Sequence, residues 1–177
     1  MPVTIREINQ DDIKTIKPWL IDKDNAQWLV PFFQNVNIRD EQIALFLMRR
    51  DKKNYLALCD DIPVGIVGFN DIDLVNRSAH NWVLMGNREF RKKGLMTTAL
   101  ILAFKRIFDE LDLHSINIWI VDGNISIKTA ENVRYKYYGR QRECHLINGV
   151  LRDRLHLDMV RTEFEEFYQT YLRQQQS

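Results

Sequence analysis

Leu84-Met85-Gly86-Asn87-Arg88-Glu89-Phe90-Arg91-Lys92-Lys93-Gly94-Leu95-Met96-Thr97 is the stretch on which the fold turns. His80 to Met85 reads as a strand. Gly86 to Gly94 breaks the pattern with a short basic loop. From Leu95 the apolar residues Leu95, Ala99, Leu102, Ala103, Ile107 and Leu111 fall at helical spacing. The first N–H groups of such a helix have no intrahelical partner and point back into the loop. Together with the helix dipole they form an anion site. Gly94 lets the backbone approach a ligand closely. Arg91, Lys92 and Lys93 raise the local positive potential, and a diphosphate fits there. Three basic residues before a glycine also suit a solvated turn. Placement between a strand and a helix, followed by a second strand–helix pair, favours the binding loop.

Working outward, Ser115 to Val121 is the next strand, with Ile116, Ile118 and Ile120 on one face and Trp119 and Val121 on the other. Ser126 to Tyr135 reads as a shorter helix. Gly139 to Leu146, the turn Asn148-Gly149, and Val150 to Met159 form a closing hairpin. Upstream, Val3, Ile5 and Ile8 begin a short strand. Asp11 and Asp12 offer an N-cap to a helix through Ile13, Ile16, Trp19 and Leu20. A second helix is expected over Asp40 to Arg50. Tyr55 to Cys59 and Val64 to Phe69 form a hairpin around the turn Asp60–Pro63, and Asn70 to Arg77 is polar and loop-like. The expected class is mixed α/β (α+β), with an antiparallel start and a strand–helix–strand–helix centre.

The 177 residues suit one domain. Lys plus Arg total 25 against 24 Asp plus Glu, so no wide basic footprint exists and nucleic acid is not an expected partner. Cys59 and Cys144 are too isolated for a disulfide framework or a zinc site and read as reduced thiols. The N-terminus lacks the apolar core of a signal peptide. No apolar run approaches the ~20 residues of a spanning helix. A cytoplasmic protein without a membrane partner is expected.

Arg91-Lys92-Lys93-Gly94-Leu95-Met96 resembles the pyrophosphate loop of the GNAT acetyltransferases, Arg/Gln-x-x-Gly-x-Gly/Ala, with Met96 where a small residue is usual. The resemblance runs from Ile5-Arg6-Glu7 to about Phe164. It is greatest to the ribosomal-protein N-terminal acetyltransferase (RimJ/RimL-like) branch. Phe108-Asp109-Glu110-Leu111-Asp112-Leu113-His114, Asn124-Ile125-Ser126-Ile127-Lys128, and Asn148-Gly149 with Asp153, Leu155 and Met159 carry it. The Asn–Ser spacing is one residue short, and Arg134-Tyr135 stands where Gly-Phe is usual.

The resemblance implies one N-acetyltransferase domain over 1–172; the polar run Arg173-Gln174-Gln175-Gln176-Ser177 after it reads as a frayed tail. The resemblance also implies a splayed sheet holding acetyl-CoA between the parallel strands His80–Met85 and Ser115–Val121, and no metal. Backbone groups of Leu84, Met85 and Gly86 would hold the pantetheine and polarise the thioester carbonyl. Arg91, Lys92, Lys93, Gly94, Leu95, Met96 and Thr97 would hold the diphosphate, with Asn124 on the pantetheine. The implied reaction is direct attack by a primary amine: a protein N-terminus, an amino-sugar nucleotide or a small amine. A homodimer is one assembly the chain could form. The alternative is a CoA-binding sensor or interaction module without catalysis.

Counting back from Gly94, the strand glutamate of many relatives falls on Asn81, which cannot act as a base. His80 is adjacent, but neighbours on a strand face opposite ways. It is a base candidate, or a surface or satisfied core histidine. Glu89 reads as a solvated charge. Ser126 matches the serine of the branch motif and is the first acid candidate, or the N-cap of its helix. Tyr135, with Tyr137 and Tyr138, offers other donors, or packing aromatics. Ala130 occupies the position of the tyrosine acid found in many relatives. His114 reads as structural. Trp19, Trp28, Pro31, Phe32 and Phe33 form a core-plus-lid cluster where relatives bind the acceptor.

Overall fold

The computed structural model describes residues 2–35, 37–91 and 93–175. Its spine is one seven-stranded sheet in the order β1-β2-β3-β4-β5-β7-β6. These strands are β1 Val3–Glu7, β2 Lys53–Cys59, β3 Ile62–Asp73, β4 Ser78–Met85, β5 Ser115–Val121, β6 Lys136–Ile147 and β7 Val150–Val160. Every neighbouring pair is antiparallel except β4 and β5. Those two run parallel and are joined by α4, Leu95–Leu111. Their register holds for only three residue pairs, Ser78↔Ser115, Ala79↔Ile116 and His80↔Asn117. Beyond His80 they diverge, so the middle of the sheet is forked. β5 stays paired with β7 over its whole length.

Each face of the sheet is covered by its own core, as the amphipathic helices require. α4 packs on one face, where Phe69, Phe104, Ile107, Ile116 and Met159 are buried. α1 Ile13–Ile21 and α3 Asp40–Leu47 cover the other, where Ile16, Phe33, Ile43, Leu56 and Ile66 are buried. α2 is the short turn of helix Lys23–Ala26, and α5 spans Ser126–Asn132. The last helix, α6 Arg161–Gln175, has no counterpart in the sequence reading. It buries Phe164 against Phe104 and Phe108, with ring centroids 5.7 and 5.4 Å apart. The tail expected at 173–177 therefore begins inside this helix. Among the described residues no helix is long and apolar enough to cross a membrane.

Three local expectations are corrected. Asp12 does not cap α1; its carboxylate takes both Arg6 guanidinium nitrogens at 2.7 Å, and Asn9 caps the preceding 3-10 turn through the Asp11 N–H. The Arg6 hydrogen bond also holds the Asp12 carboxyl below its usual range. The β2–β3 turn is confined to Asp60 and Asp61, both at positive φ, so Ile62 and Pro63 already belong to β3. β3 continues through Asp73 beside β4, where a polar loop was expected. The Asn148-Gly149 hairpin turn is as expected, with φ of 50° and 78°.

Candidate functional site

The fork between β4 and β5 opens a cleft of about 910 Å³, lined from both faces of the sheet. Strand alternation assigns its walls. His80, Trp82 and Leu84 of β4 share one face, and Trp119 of β5 joins them. Here the lining includes Trp28, Phe33 and Phe46 from the segments around α2 and α3. On the other face the lining comes from the start of α4 and from α5, with Met96, Thr97, Ser126 and Thr129.

The start of α4 has the geometry of an anion site. Gly94 is its N-cap residue and sits in the left-handed region at φ 72°, ψ 2°. No atom lies within 4 Å of where its Cβ would be, so the position opens onto free space. The Gly94 carbonyl accepts from Thr97 N–H at 3.0 Å and Thr98 N–H at 3.4 Å. The N–H groups of Leu95 and Met96 belong to the first turn, where no intrahelical acceptor exists. Arg91 lines the cleft and reaches Asn25 Oδ1 at 3.5 Å. Arg88 fastens the loop to α2 through Asp22 at 2.7 Å and Asp24 at 3.0 Å. Lys93 turns away and lies over the Phe90 ring, 4.8 Å from its centroid. Lys92 lies outside the described residues.

Met96 was the departure from the small residue expected near the helix start. The structure shows what accommodates it. Its thioether sulfur would be 2.6 Å from a Cβ on Gly65, and Leu84 O would be 2.4 Å from the same point. Gly65, lacking a Cβ, leaves the room that the Met96 side chain takes. Gly65→Ala is therefore expected to push Met96 into the cleft and to cost about 1–3 kcal/mol by overpacking. Chemical denaturation of the variant measures this; a stability equal to wild type would show the contact to be slack.

Of the three backbone positions expected on the fork, Met85 is well placed and the other two are not. Gly86 N–H donates to Val64 O at 2.9 Å, so it is taken. Gly86 instead admits the Trp19 ring, which would lie 2.0 Å from a Cβ there. Leu84 is two residues back and its backbone groups also face β3. By the same alternation Val83 and Met85 direct their N–H and C=O groups into the fork. Val83 was missed because the sequence does not show which strand edge is left unpaired.

The catalytic candidates separate clearly. Asn81 is fully buried on the α4 face, with Nδ2 donating to Gly68 O at 2.9 Å. Tyr135 is buried beside it and donates its hydroxyl to Asn81 Oδ1 at 3.2 Å. Burial raises the Tyr135 phenol well above its usual range. Tyr135 is thus a core hydrogen-bond partner and not a cleft donor. Tyr137 and Tyr138 are exposed on β6, outside the cleft lining. His80, on the opposite face from Asn81, does line the cleft. Burial lowers its pKa from 6.5, although the Asn117 hydrogen bond and Asp71 oppose the shift. The ring therefore rests neutral at neutral pH.

Trp119 holds that imidazole from the side. His80 stacks on it with centroids 6.1 Å apart and planes at 28°. Arg154 lies 4.0 Å from the indole centroid. Arg154 also donates to His145 Nδ1 at 3.0 Å, and His145 Nε2 meets Gln27 O at 2.7 Å. This chain of contacts ties the closing hairpin to the segment that carries Trp28. Ser126 lines the cleft as the first residue of α5, and its hydroxyl has no hydrogen-bond partner among the described residues. The cap belongs to Asn124, whose Oδ1 accepts from the Ser126 N–H at 2.8 Å. Glu89 is exposed.

A sheet forked at the parallel pair β4–β5, with an open helix N-terminus at the fork, is the architecture expected from the sequence. The family model for the acetyltransferase (GNAT) domain matches residues 3–133, and the chain belongs to that family. The chain is 27% identical over 111 residues to the "Putative ribosomal N-acetyltransferase YdaF" of Bacillus subtilis (strain 168). That match covers 61% of this chain and 59% of the relative, so the chain spans less than two thirds of that protein's length. A solved spermidine N-acetyltransferase from Vibrio cholerae, in complex with CoA and spermine, shares the fold at a TM-score of 0.82. Identity is 17%, over 92% of this chain and 98% of that one. A dodecameric structure of spermidine N-acetyltransferase from the same organism, in an intermediate state, matches at 0.76 with 19% identity, over 92% and 95%.

Proposed function

We propose that this protein moves the acetyl group of acetyl-CoA to a primary amine by direct attack in the β4–β5 cleft. The observation that carries the reading is the arrangement of one cleft: the open first turn of α4 at Gly94 on one face, and the neutral imidazole of His80 on the other. The residues present fit acetyl-CoA. Gly94 leaves room for a diphosphate against the Leu95 and Met96 N–H groups, and Arg91 adds charge. Val83 and Met85 offer unpaired strand groups to the amides of a pantetheine arm. When bound, acetyl-CoA supplies an acyl carbon activated by sulfur.

His80 takes the proton that the amine must lose, and Trp119 keeps its ring in the wall. Ser126, with an uncommitted hydroxyl beside α5, passes its proton to the departing sulfur and takes one back from water, to which His80 gives up the proton it gained. One N–C bond forms, one C–S bond breaks, and the products are an amide and a thiol. No covalent enzyme intermediate is needed, so neither Cys59 nor Cys144 takes part.

The acceptor side favours a peptide or protein amine. It is mostly aromatic, through Trp28, Phe33, Phe46 and Trp82. Of its carboxylates Asp24 is paired with Arg88, which leaves Asp71 as the one without an ion-pair partner among the described residues. A single ammonium on an apolar body suits that wall better than a polycation or an amino-sugar nucleotide. Both named relatives act on amines by their names, which agrees with the reaction class. The test is release of CoA thiol over a panel of N-terminal peptides, polyamines and amino-sugar nucleotides. Binding of acetyl-CoA without acceptor-dependent release would overturn the reading.

Ser126→Ala should lower the single-turnover rate and leave the acetyl-CoA dissociation constant nearly unchanged, because the hydroxyl acts in the transition state. Since Asn124 supplies the cap, the thermal midpoint should barely move. Asn124→Ala should instead cost about 0.5–2 kcal/mol of stability. A normal rate for Ser126→Ala would leave the proton donor to a water.

A further inference from the structure

We infer that Asn117 is a positioning residue that fixes His80 as the Nδ1–H tautomer, so that the lone pair of Nε2 serves the cleft. The inference rests on the acetyl-transfer reading and on His80 as its base. It starts from the register of the sheet. His80 and Asn117 form the last matched pair before β4 and β5 part. Two side chains that meet at the fork are held by the final rung of the ladder.

The hydrogen bonds then assign the proton. Asn117 Nδ2 donates to Ala79 O at 3.2 Å. That contact turns Oδ1 toward His80, 2.7 Å from Nδ1. An amide oxygen only accepts, so Nδ1 must carry the hydrogen. Flipping the amide would set Oδ1 against the Ala79 carbonyl, acceptor against acceptor, and Nδ2 would face the ring. A neutral imidazole has one N–H, so Nε2 holds the lone pair. When Nε2 takes a proton, the Nδ1–H···O bond becomes charge-assisted and shortens without any movement of the ring.

The same contact sets how basic the ring is. Burial disfavours the cation, and Arg154 and His156 of β7 act in the same direction. Asp71, at the far end of β3, and the Asn117 oxygen act against them. A neutral amide supports the imidazolium only weakly. A carboxylate in its place would support it strongly and leave the base protonated at a higher pH.

Two measurements test this. Nitrogen-15 NMR of histidine-labelled protein reads the His80 tautomer without any turnover, assigned with His80→Gln. The pH dependence of kcat/KM at saturating acetyl-CoA reads the base. In wild type the Nδ1–H form is expected. Asn117→Asp should move the acidic limb up by about one pH unit. Asn117→Leu should mix the tautomers and lower kcat about tenfold or more, with acetyl-CoA affinity unchanged. A purely structural asparagine would change the folded fraction and leave the limb where it was. An Nε2–H ring in wild type, or an unmoved limb in Asn117→Asp, overturns the inference. Wild-type protein that releases no CoA with any amine overturns the acetyl-transfer reading instead, and the NMR result still decides whether Asn117 sets the tautomer.

Discussion

His80→Gln should slow acetyl transfer by about 10²–10⁴-fold, the usual contribution of a positioned acid or base. Glutamine keeps a polar group of similar reach in the wall, so acetyl-CoA affinity should hold. Pre-steady-state mixing with a peptide acceptor separates the two quantities. The pH profile should lose its acidic limb, since the group that creates it is gone. In wild type that limb should lie below the ordinary histidine value of 6.5, because burial favours the neutral ring. Stability carries the same sign. Between the lowered native value and 6.5 the unfolded chain binds a proton that the native ring refuses, so wild type loses stability as pH falls through that window. Above 6.5 both states are neutral and the contribution is constant. A rate for His80→Gln within a few-fold of wild type would remove His80 from the chemistry.

Gly94→Val should weaken acetyl-CoA binding about tenfold or more. The native φ of 72° lies in the left-handed region, where a side chain costs roughly 1–2 kcal/mol and a β-branched one is worse. The variant must either carry that strain or move the first turn of α4, and with it the Leu95 and Met96 N–H groups. Because the Cβ position is open, no clash inside the protein adds to the effect. Lys92→Ala, which removes one of the loop's three neighbouring basic charges and no backbone group, should change affinity much less. Calorimetry on both variants decides the matter, and equal affinities would take the loop out of the site.

Much of this was legible from the chain. The loop between β4 and α4 announced itself through Gly94 and the periodicity that follows it, and β5 was bounded as Ser115–Val121. What escaped were faces and partners. Counting from Gly94 reached Asn81, but a count along a strand does not say which side the core occupies, and Asn81 proved to face it. Tyr135 was drawn into the candidates by its hydroxyl, which a long-range partner, Asn81, had already engaged. α6 was missed although Phe164, Tyr168 and Tyr171 recur at helical spacing, because charged, threonine and glutamine residues make up most of the rest of it. Trp119 was placed on the correct strand face, yet its stacking on His80 depends on a pairing between segments far apart in sequence. Asn117 carried no local signal at all.

The fork has a kinetic corollary. Its walls come from both sides of the sheet, with the α4 and α5 turns on one and the Trp28 segment on the other. On the proposed reading, donor and acceptor would come in from opposite faces of the sheet and meet at the fork. Neither has to leave before the other arrives, so double-reciprocal plots should intersect rather than run parallel. A non-reactive acceptor mimic should compete with the amine while leaving the apparent affinity for the thioester largely intact. With the thioester on one face and the amine on the other, substitutions on opposite faces should slow release of the thiol and of the amide independently.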